Sequence, residues 1–373
     1  MTTRLPALDG LRALAALLVV VTHAAYLSGF TVNGGLVGRL AGRGDFGVAI
    51  FFALSGFLLH FRLASDARDG RTDIRAYAVR RAARVLPAYW VTLAVVLAVV
   101  QPPVRTALAQ ALTLQTYLPG TDLDAFSQSW SIPTELSFYV VLPLVVWLLE
   151  RARRRDPDLP VLLLVASAVV ATVALAFVTV GTVGEDLVIE RWLPARWPNF
   201  AVGMLLAELL LRPQSRLARA ARRLGRDGAG CLALAVAALL LATTPVAGLL
   251  TLGPASGLQL SARLALSTAV AGLLLAPLVL GREDDPYGAA LASRPARAVG
   301  AVSYGLFLWH LPVFAGLYAF TGAQVFAGGI VPLLAVGLPI SLLVAWLSHV
   351  LVERPAMRWA ARRVPHRPAP LPR

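Results

Sequence analysis

Lysine is absent from this 373-residue chain, cysteine occurs once, and charged residues of any kind make up only 14%. Each scarcity excludes something. A soluble domain carries roughly a quarter of its residues charged and about half apolar, whereas here 58% are apolar. The excess runs along the whole length, which implies a polytopic membrane protein and not a domain on one anchor. The lone Cys231 rules out an intrachain disulfide and CxxC chemistry. The five histidines, at 23, 60, 310, 349 and 366, lack metal-ligand spacing, so no metal site is expected. No internal repeat of the kind that marks many transporters is visible.

What is present is arginine. All 34 cations are Arg and the formal charge is +14. In a soluble protein that balance would suggest nucleic acid. In a membrane protein it is read against the bilayer instead, and no nucleic-acid partner is expected.

A helix needs about 20 mostly apolar residues to cross the hydrocarbon. Ten segments qualify: 11–29, 46–61, 85–101, 132–149, 159–181, 194–211, 229–251, 262–280, 301–320 and 327–352. The stretch 105–118 reads as a short interfacial helix. The first segment reads as a retained span and not a signal peptide, because its apolar run is long and a charge interrupts its start. With alternating loops, 28 Arg fall on one side and 6 on the other. Positive charge marks the cytoplasmic side, so the expectation is an all-α membrane protein of about ten helices with both termini cytoplasmic. Residues 1–354 form the membrane domain. Residues 355–373 form a basic, Pro-rich tail, whose end, "ARRVPHRPAPLPR", is expected to be disordered along anionic lipid head groups.

Ionisable residues at membrane depth are costly and mark a functional interior. In "LDGLRALAALLVVVTHA", Arg12 and His23 stand eleven residues apart. At about 100° per residue they share one helix face, roughly 16 Å apart along the axis. Arg12 then sits at the cytoplasmic surface and His23 near the bilayer centre. Asp9, one turn before Arg12, shares that face and is placed to hold its guanidinium. The competing structural reading makes Arg12 an orientation signal and His23 a packing residue. In "RAYAVRRAARVLPAYW", Arg80, Arg81 and Arg84 fall within about one turn, so their guanidinium groups are expected to converge as a phosphate receptor. "QSWSIPTELSFYVVLPL" puts Trp130 at the outer interface and Glu135 slightly inside. Asn199 lies at similar outer depth, and His310 near mid-bilayer. Ser55 and Gly56, in "FFALSGFLL", suit packing notches. Glu353 and Arg354 read as a structural ion pair, and Pro355 as the stop to the last helix.

Together, "LDGLRALAALLVVVTHA", "FFALSGFLL", "RRAARVLPAYW", "WSIPTELSFYVVLPL", "SYGLFLWHLPV" and "SHVLVERPAMRW" resemble acyltransferase family 3 of membrane proteins, in the family's order and over nearly the whole chain. The resemblance implies transfer of an acyl group, acetyl being the expected one, from acyl-CoA to a hydroxyl. Sugars of surface polysaccharides, lipid-linked glycans, and glycosylated or macrolide-type compounds are the implied acceptors. The form of the family expected is the one without the esterase-like domain fused to some members. The family's arginine and histidine fall on Arg12 and His23, and its RxxR motif on Arg81 and Arg84. Its Trp-Ser-x-x-x-Glu region gives Glu135, although many relatives carry "VEE" where this chain has "PTE".

Arg12, Arg80, Arg81 and Arg84 are thus the candidates for holding the donor. His23 and Glu135 are the catalytic candidates, and Trp130, Asn199 and His310 those for the acceptor. Two routes stay open: His23 as general base, or as transient carrier of the acyl group. Glu135 is expected to orient a histidine or bind sugar hydroxyls. The expected location is the cell membrane, with membrane lipids as partners. A transporter or lipid-linked-glycan flippase using the same mid-membrane residues is the competing function.

Overall fold

The computed structural model describes residues 6–177, 188–212, 214–248, 255–282, 284–327 and 329–364. No strand occurs among them. The principal helices are α1 (Pro6–Leu27), α2 (Phe46–Arg68), α3 (Ile74–Val100), α4 (Val104–Ala111), α5 (Ser131–Arg153) and α6 (Leu159–Ala176). They continue as α7 (Leu193–Leu211), α8 (Arg216–Gly225), α9 (Gly228–Ala242), α10 (Gly257–Leu280), α11 (Ser303–Thr321) and α12 (Ile330–Arg363). The protein is an all-α polytopic membrane protein.

Each of the ten expected spans falls on a helix. Eight of the described helices are long and apolar enough to cross a membrane, or nine if α8 and α9, bent by 82° at their junction, form one span. The exception is α7, where Arg196, Pro198, Asn199 and Glu208 lower the hydropathy. Two expected spans, 159–181 and 229–251, end on residues outside the described ones. Apolar side chains face outward around the bundle, with Val140 80% and Phe320 90% exposed. Water would penalise that surface and hydrocarbon does not.

At the centre stands α2, packed against α1, α5, α7 and α10. Its approach to α7 is set by two missing side chains. A Cβ on Gly56 would meet the Phe200 carbonyl oxygen at 2.2 Å, and one on Gly203 would meet that of Ala53 at 1.9 Å. Small residues at such crossings let backbones touch. Phe200 then stacks between Phe52 of α2 (4.4 Å between centroids) and Phe138 of α5 (4.1 Å), tying three helices together. Gly56 is therefore a notch, while its neighbour Ser55 has a different task.

Between α4 and α5 the chain departs from expectation. Only Val104–Ala111 of the stretch 105–118 is helical. The rest turns inward, and Asp124–Trp130 folds against α11, where the Gln128 side-chain amide donates to the Leu308 carbonyl at 2.7 Å. Several buried polar groups of this insert are bonded: the Tyr89 hydroxyl of α3 donates to the Gln110 carbonyl at 2.7 Å and the Gln115 amide to that of Ser129 at 3.2 Å. Bonding of this kind lets irregular backbone lie inside an apolar bundle.

The end of α12 is a second departure. Pro355 does not stop it; helix continues to Arg363. A wide π-type turn at His349–Glu353 precedes the proline and accommodates a residue with no N–H to donate. Of the tail end expected to be disordered, 361–363 are helical and 365–373 lie outside the described residues.

Candidate functional site

Arg12 of α1, Ser55 of α2, Arg81 and Arg84 of α3, Glu135 of α5 and Tyr304 of α11 line a single cavity with about 740 Å³ of empty space, part of it open to solvent. Five helices contribute, so no local motif could have drawn it. The lining carries three guanidinium groups and one carboxylate. Asp9 holds Arg12 at 2.9 Å across one helical turn, as its spacing suggests.

The three neighbouring arginines of α3 do not all converge. Arg81 and Arg84 reach the cavity, but Arg80, about 100° round the helix from Arg81, donates to the Val364 carbonyl at 3.1 Å. Arg84 lies 5.9 Å from the Tyr304 ring centroid and donates to Glu353 at 3.1 Å. The expected Glu353–Arg354 pair is thus replaced. The wide turn rotates Glu353 inward, 1% exposed, between Arg84 and His349 at 3.3 Å.

Glu135 also needs relocation. It sits among the arginines and touches neither His23 nor His310 among the described contacts. The Ser55 hydroxyl donates to its carboxylate at 2.7 Å and the Tyr139 hydroxyl at 2.6 Å. Because Asp124–Trp130 is itself folded into the bundle, α5 begins inside it. Glu135, one turn on, is correspondingly deeper than the sequence suggests.

The two histidines form a pair that the sequence could not supply. His310 Nε2 lies 3.1 Å from His23 Nδ1, and the ring centroids are 5.0 Å apart. Each Nδ1 faces the carbonyl four residues earlier, His23 that of Val19 at 2.9 Å and His310 that of Leu306 at 3.0 Å. A carbonyl only accepts, so both Nδ1 atoms carry hydrogen. His310 Nε2 then has the lone pair, and it accepts from His23 Nδ1–H. By elimination the basic nitrogen of the pair is His23 Nε2. His310 is fully buried with both nitrogens engaged.

Neither histidine lines the arginine cavity. Phe51 and Phe307 do, and the Phe307 ring stands 6.3 Å from that of His310. The cavity and the histidine pair are one aromatic layer apart.

Trp130 and Asn199 are placed elsewhere. The Trp130 ring is flanked by the guanidinium carbons of Arg196 at 5.0 Å and Arg191 at 5.8 Å. Asn199 is fully buried, its amide donating to Thr268 at 2.8 Å, which makes it a link between α7 and α10. Two further charged sites escaped the sequence reading. Arg43, which precedes α2 in sequence, is fully buried, with Nε donating to the Ala242 carbonyl at 2.6 Å and Nη2 to the Gly248 carbonyl. Glu208, buried in α7, accepts from Arg153 at 2.7 and 2.8 Å and contacts His60 at 2.6 Å. The period of a single helix carries no sign of either. No metal-binding group of side chains occurs among the described residues.

The model of a family described as an acyltransferase domain matches residues 5–350 of this chain. The chain is 27% identical to Acyltransferase MdmB of Streptomyces mycarofaciens, covering 99% of this chain and 96% of that protein. It is 28% identical to YrhL of Bacillus subtilis (strain 168), whose name is that of a peptidoglycan O-acetyltransferase, over 94% of this chain but 54% of that protein. It is 31% identical to O-acetyltransferase OatA of Staphylococcus aureus (strain NCTC 8325 / PS 47), over 41% of this chain and 26% of that protein. The chain thus spans about half of YrhL and about a quarter of OatA. No solved structure matches.

Proposed function

The chain belongs to the acyltransferase family just described, and from that premise we propose that it transfers an acyl group, acetyl being expected, from acyl-CoA to a hydroxyl at the cell membrane. The acceptor is a sugar, or a glycosylated or macrolide-type compound. The observation that carries this reading is the convergence of Arg12, Arg81 and Arg84 in a cavity one aromatic layer from a hydrogen-bonded histidine pair.

Coenzyme A is a polyanionic head on a long thin arm. Guanidinium groups bind phosphate in bidentate fashion, and Arg84 is held in place by Glu353. Glu135, with Ser55 and Tyr139, offers acceptors and donors for the sugar or base of the same head. With the head held there, the arm extends along α1. Arg12 and His23 are separated by roughly 16 Å along that helix, which suits an extended arm.

At the far end, His23 Nε2 takes the proton of the acceptor hydroxyl as its oxygen attacks the thioester carbonyl. The C–S bond breaks and the thiol leaves with the proton. While His23 is cationic, its Nδ1–H is held by the Val19 carbonyl and by His310 Nε2. His310 is thereby a positioning residue. An acyl-imidazole on His23 Nε2 is the alternative route through the same nitrogen.

Purified protein in lipid nanodiscs, supplied with labelled acetyl-CoA and surface glycans, tests the reading. His23→Ala should abolish label transfer, and Arg84→Ala should raise the donor KM by about 10- to 100-fold, the loss of one charged contact. Transfer surviving in His23→Ala, or an unaltered donor KM in Arg84→Ala, would refute the assigned roles.

A further inference from the structure

Phe51 of α2 and Phe307 of α11 meet edge to face, with centroids 6.0 Å apart and planes at 73°. Both line the arginine cavity. Phe307 precedes His310 by three residues, so the two share a face of α11, and the rings stand 6.3 Å apart. Phe51 has a position of its own in the packing: it lies against all three of the larger hydrophobic clusters, where their boundaries meet. Phe307 is 5% exposed and Phe51 partly buried.

We infer that Phe51 and Phe307 form a partition between the donor cavity and the histidine pair, and that the gap these rings concede selects the acyl group. The inference rests on the reading that the donor head is held by Arg12, Arg81 and Arg84. A thioester advancing from that cavity has to displace at least one ring to reach His23. No hydrogen bond fixes either side chain, so rotation meets only packing resistance. A short acyl group passes with little displacement, and each further methylene enlarges what must move. The same rings keep cavity water from the thioester. With the partition widened, water replaces the acceptor: its oxygen bonds to the carbonyl carbon, the C–S bond breaks, and a free thiol and a carboxylic acid leave. A methylene that a pocket rejects is worth about 10-fold or more in kcat/KM.

The test uses full-length protein in nanodiscs without acceptor, with acetyl-, butyryl- and hexanoyl-CoA as probes and release of free thiol as readout. The parent is compared with Phe51→Ala, Phe51→Leu, Phe307→Leu and His23→Ala. In Phe51→Ala the hexanoyl-to-acetyl ratio of kcat/KM should rise about 10-fold or more, with faster hydrolysis of every donor. Phe51→Leu and Phe307→Leu should fall between, and they carry the test if the alanine variant does not fold. Parent-like ratios and hydrolysis in every variant that elutes as the parent does would overturn the partition alone. If neither the parent nor any of the widened variants releases thiol from any of the three, or release is equal after His23→Ala, the donor reading fails and takes the partition with it.

Discussion

Replacing His310 separates a positioning role from mere packing. Its Nε2 is one of two acceptors for His23 Nδ1–H, at 3.1 Å, and the other, the Val19 carbonyl at 2.9 Å, stays in any variant. The ring is fully buried, between Phe307 at 6.3 Å and Phe314 at 6.0 Å. His310→Phe keeps most of that volume and removes the acceptor. The lost bond matters chiefly when His23 is cationic, and a hydrogen bond to a charged group contributes about 1.5–3 kcal/mol. At about 1.4 kcal/mol per tenfold, kcat should fall by about 10- to 150-fold. The donor KM should not change, because His310 does not line the arginine cavity proposed to hold the donor. His310→Asn, which restores an acceptor, should recover part of the loss. Initial rates against acetyl-CoA concentration give both constants. Full kcat in His310→Phe, or a loss confined to KM, would refute the tautomer assignment from which His23 Nε2 emerges as the base.

Three further outcomes follow from other contacts. Glu353→Gln removes the charge that holds Arg84 and should raise the donor KM by about 10-fold with kcat little altered; kinetics with acetyl-CoA check it. Arg153→Ala leaves the Glu208 carboxylate buried with His60 as its remaining partner, and a broken buried pair costs about 3–5 kcal/mol; the melting temperature of the solubilised protein should drop sharply. Gly203→Val should prevent assembly, since its Cβ alone would sit 1.9 Å from the Ala53 carbonyl oxygen, whereas Gly316→Ala, with nothing within 4 Å, should express as the parent does.

The helices were legible because hydrocarbon thickness fixes a minimum apolar run, and that quantity is local to the sequence. The number of crossings was less so. In α7 the apolar run is diluted by Arg196, Pro198, Asn199 and Glu208, which the bundle tolerates because Glu208 is bonded to Arg153 and Asn199 to Thr268. Those partners lie 55 and 69 residues away, beyond any window. Arg43 was hidden for the same reason: a cation near a span end looks like a loop charge unless the carbonyls that surround it, some 200 residues distant, are known. Pro355 was misread because a proline forbids one hydrogen bond, not a helix whose preceding turn is already wide.

In the site, the line between what could and could not be read falls between one helix and two. The shared face of Arg12 and His23, and the clasp of Asp9 on Arg12, follow from the period of α1 alone. The pairing of His23 with His310, and of Arg84 with Glu353, crosses 287 and 269 residues and depends on where α11 and α12 dock. Yet the two kinds of information constrain each other. If α1 holds a cation in the cavity and an imidazole beyond the aromatic layer, that layer must be crossed between them, roughly 16 Å apart along one axis. Phe51 and Phe307 are supplied by α2 and α11, two of the helices packed against α1. The spacing that a single helix specifies therefore becomes a path only where its neighbours concede it, and the residues that concede it are apolar, without any polar mark by which a sequence would single them out.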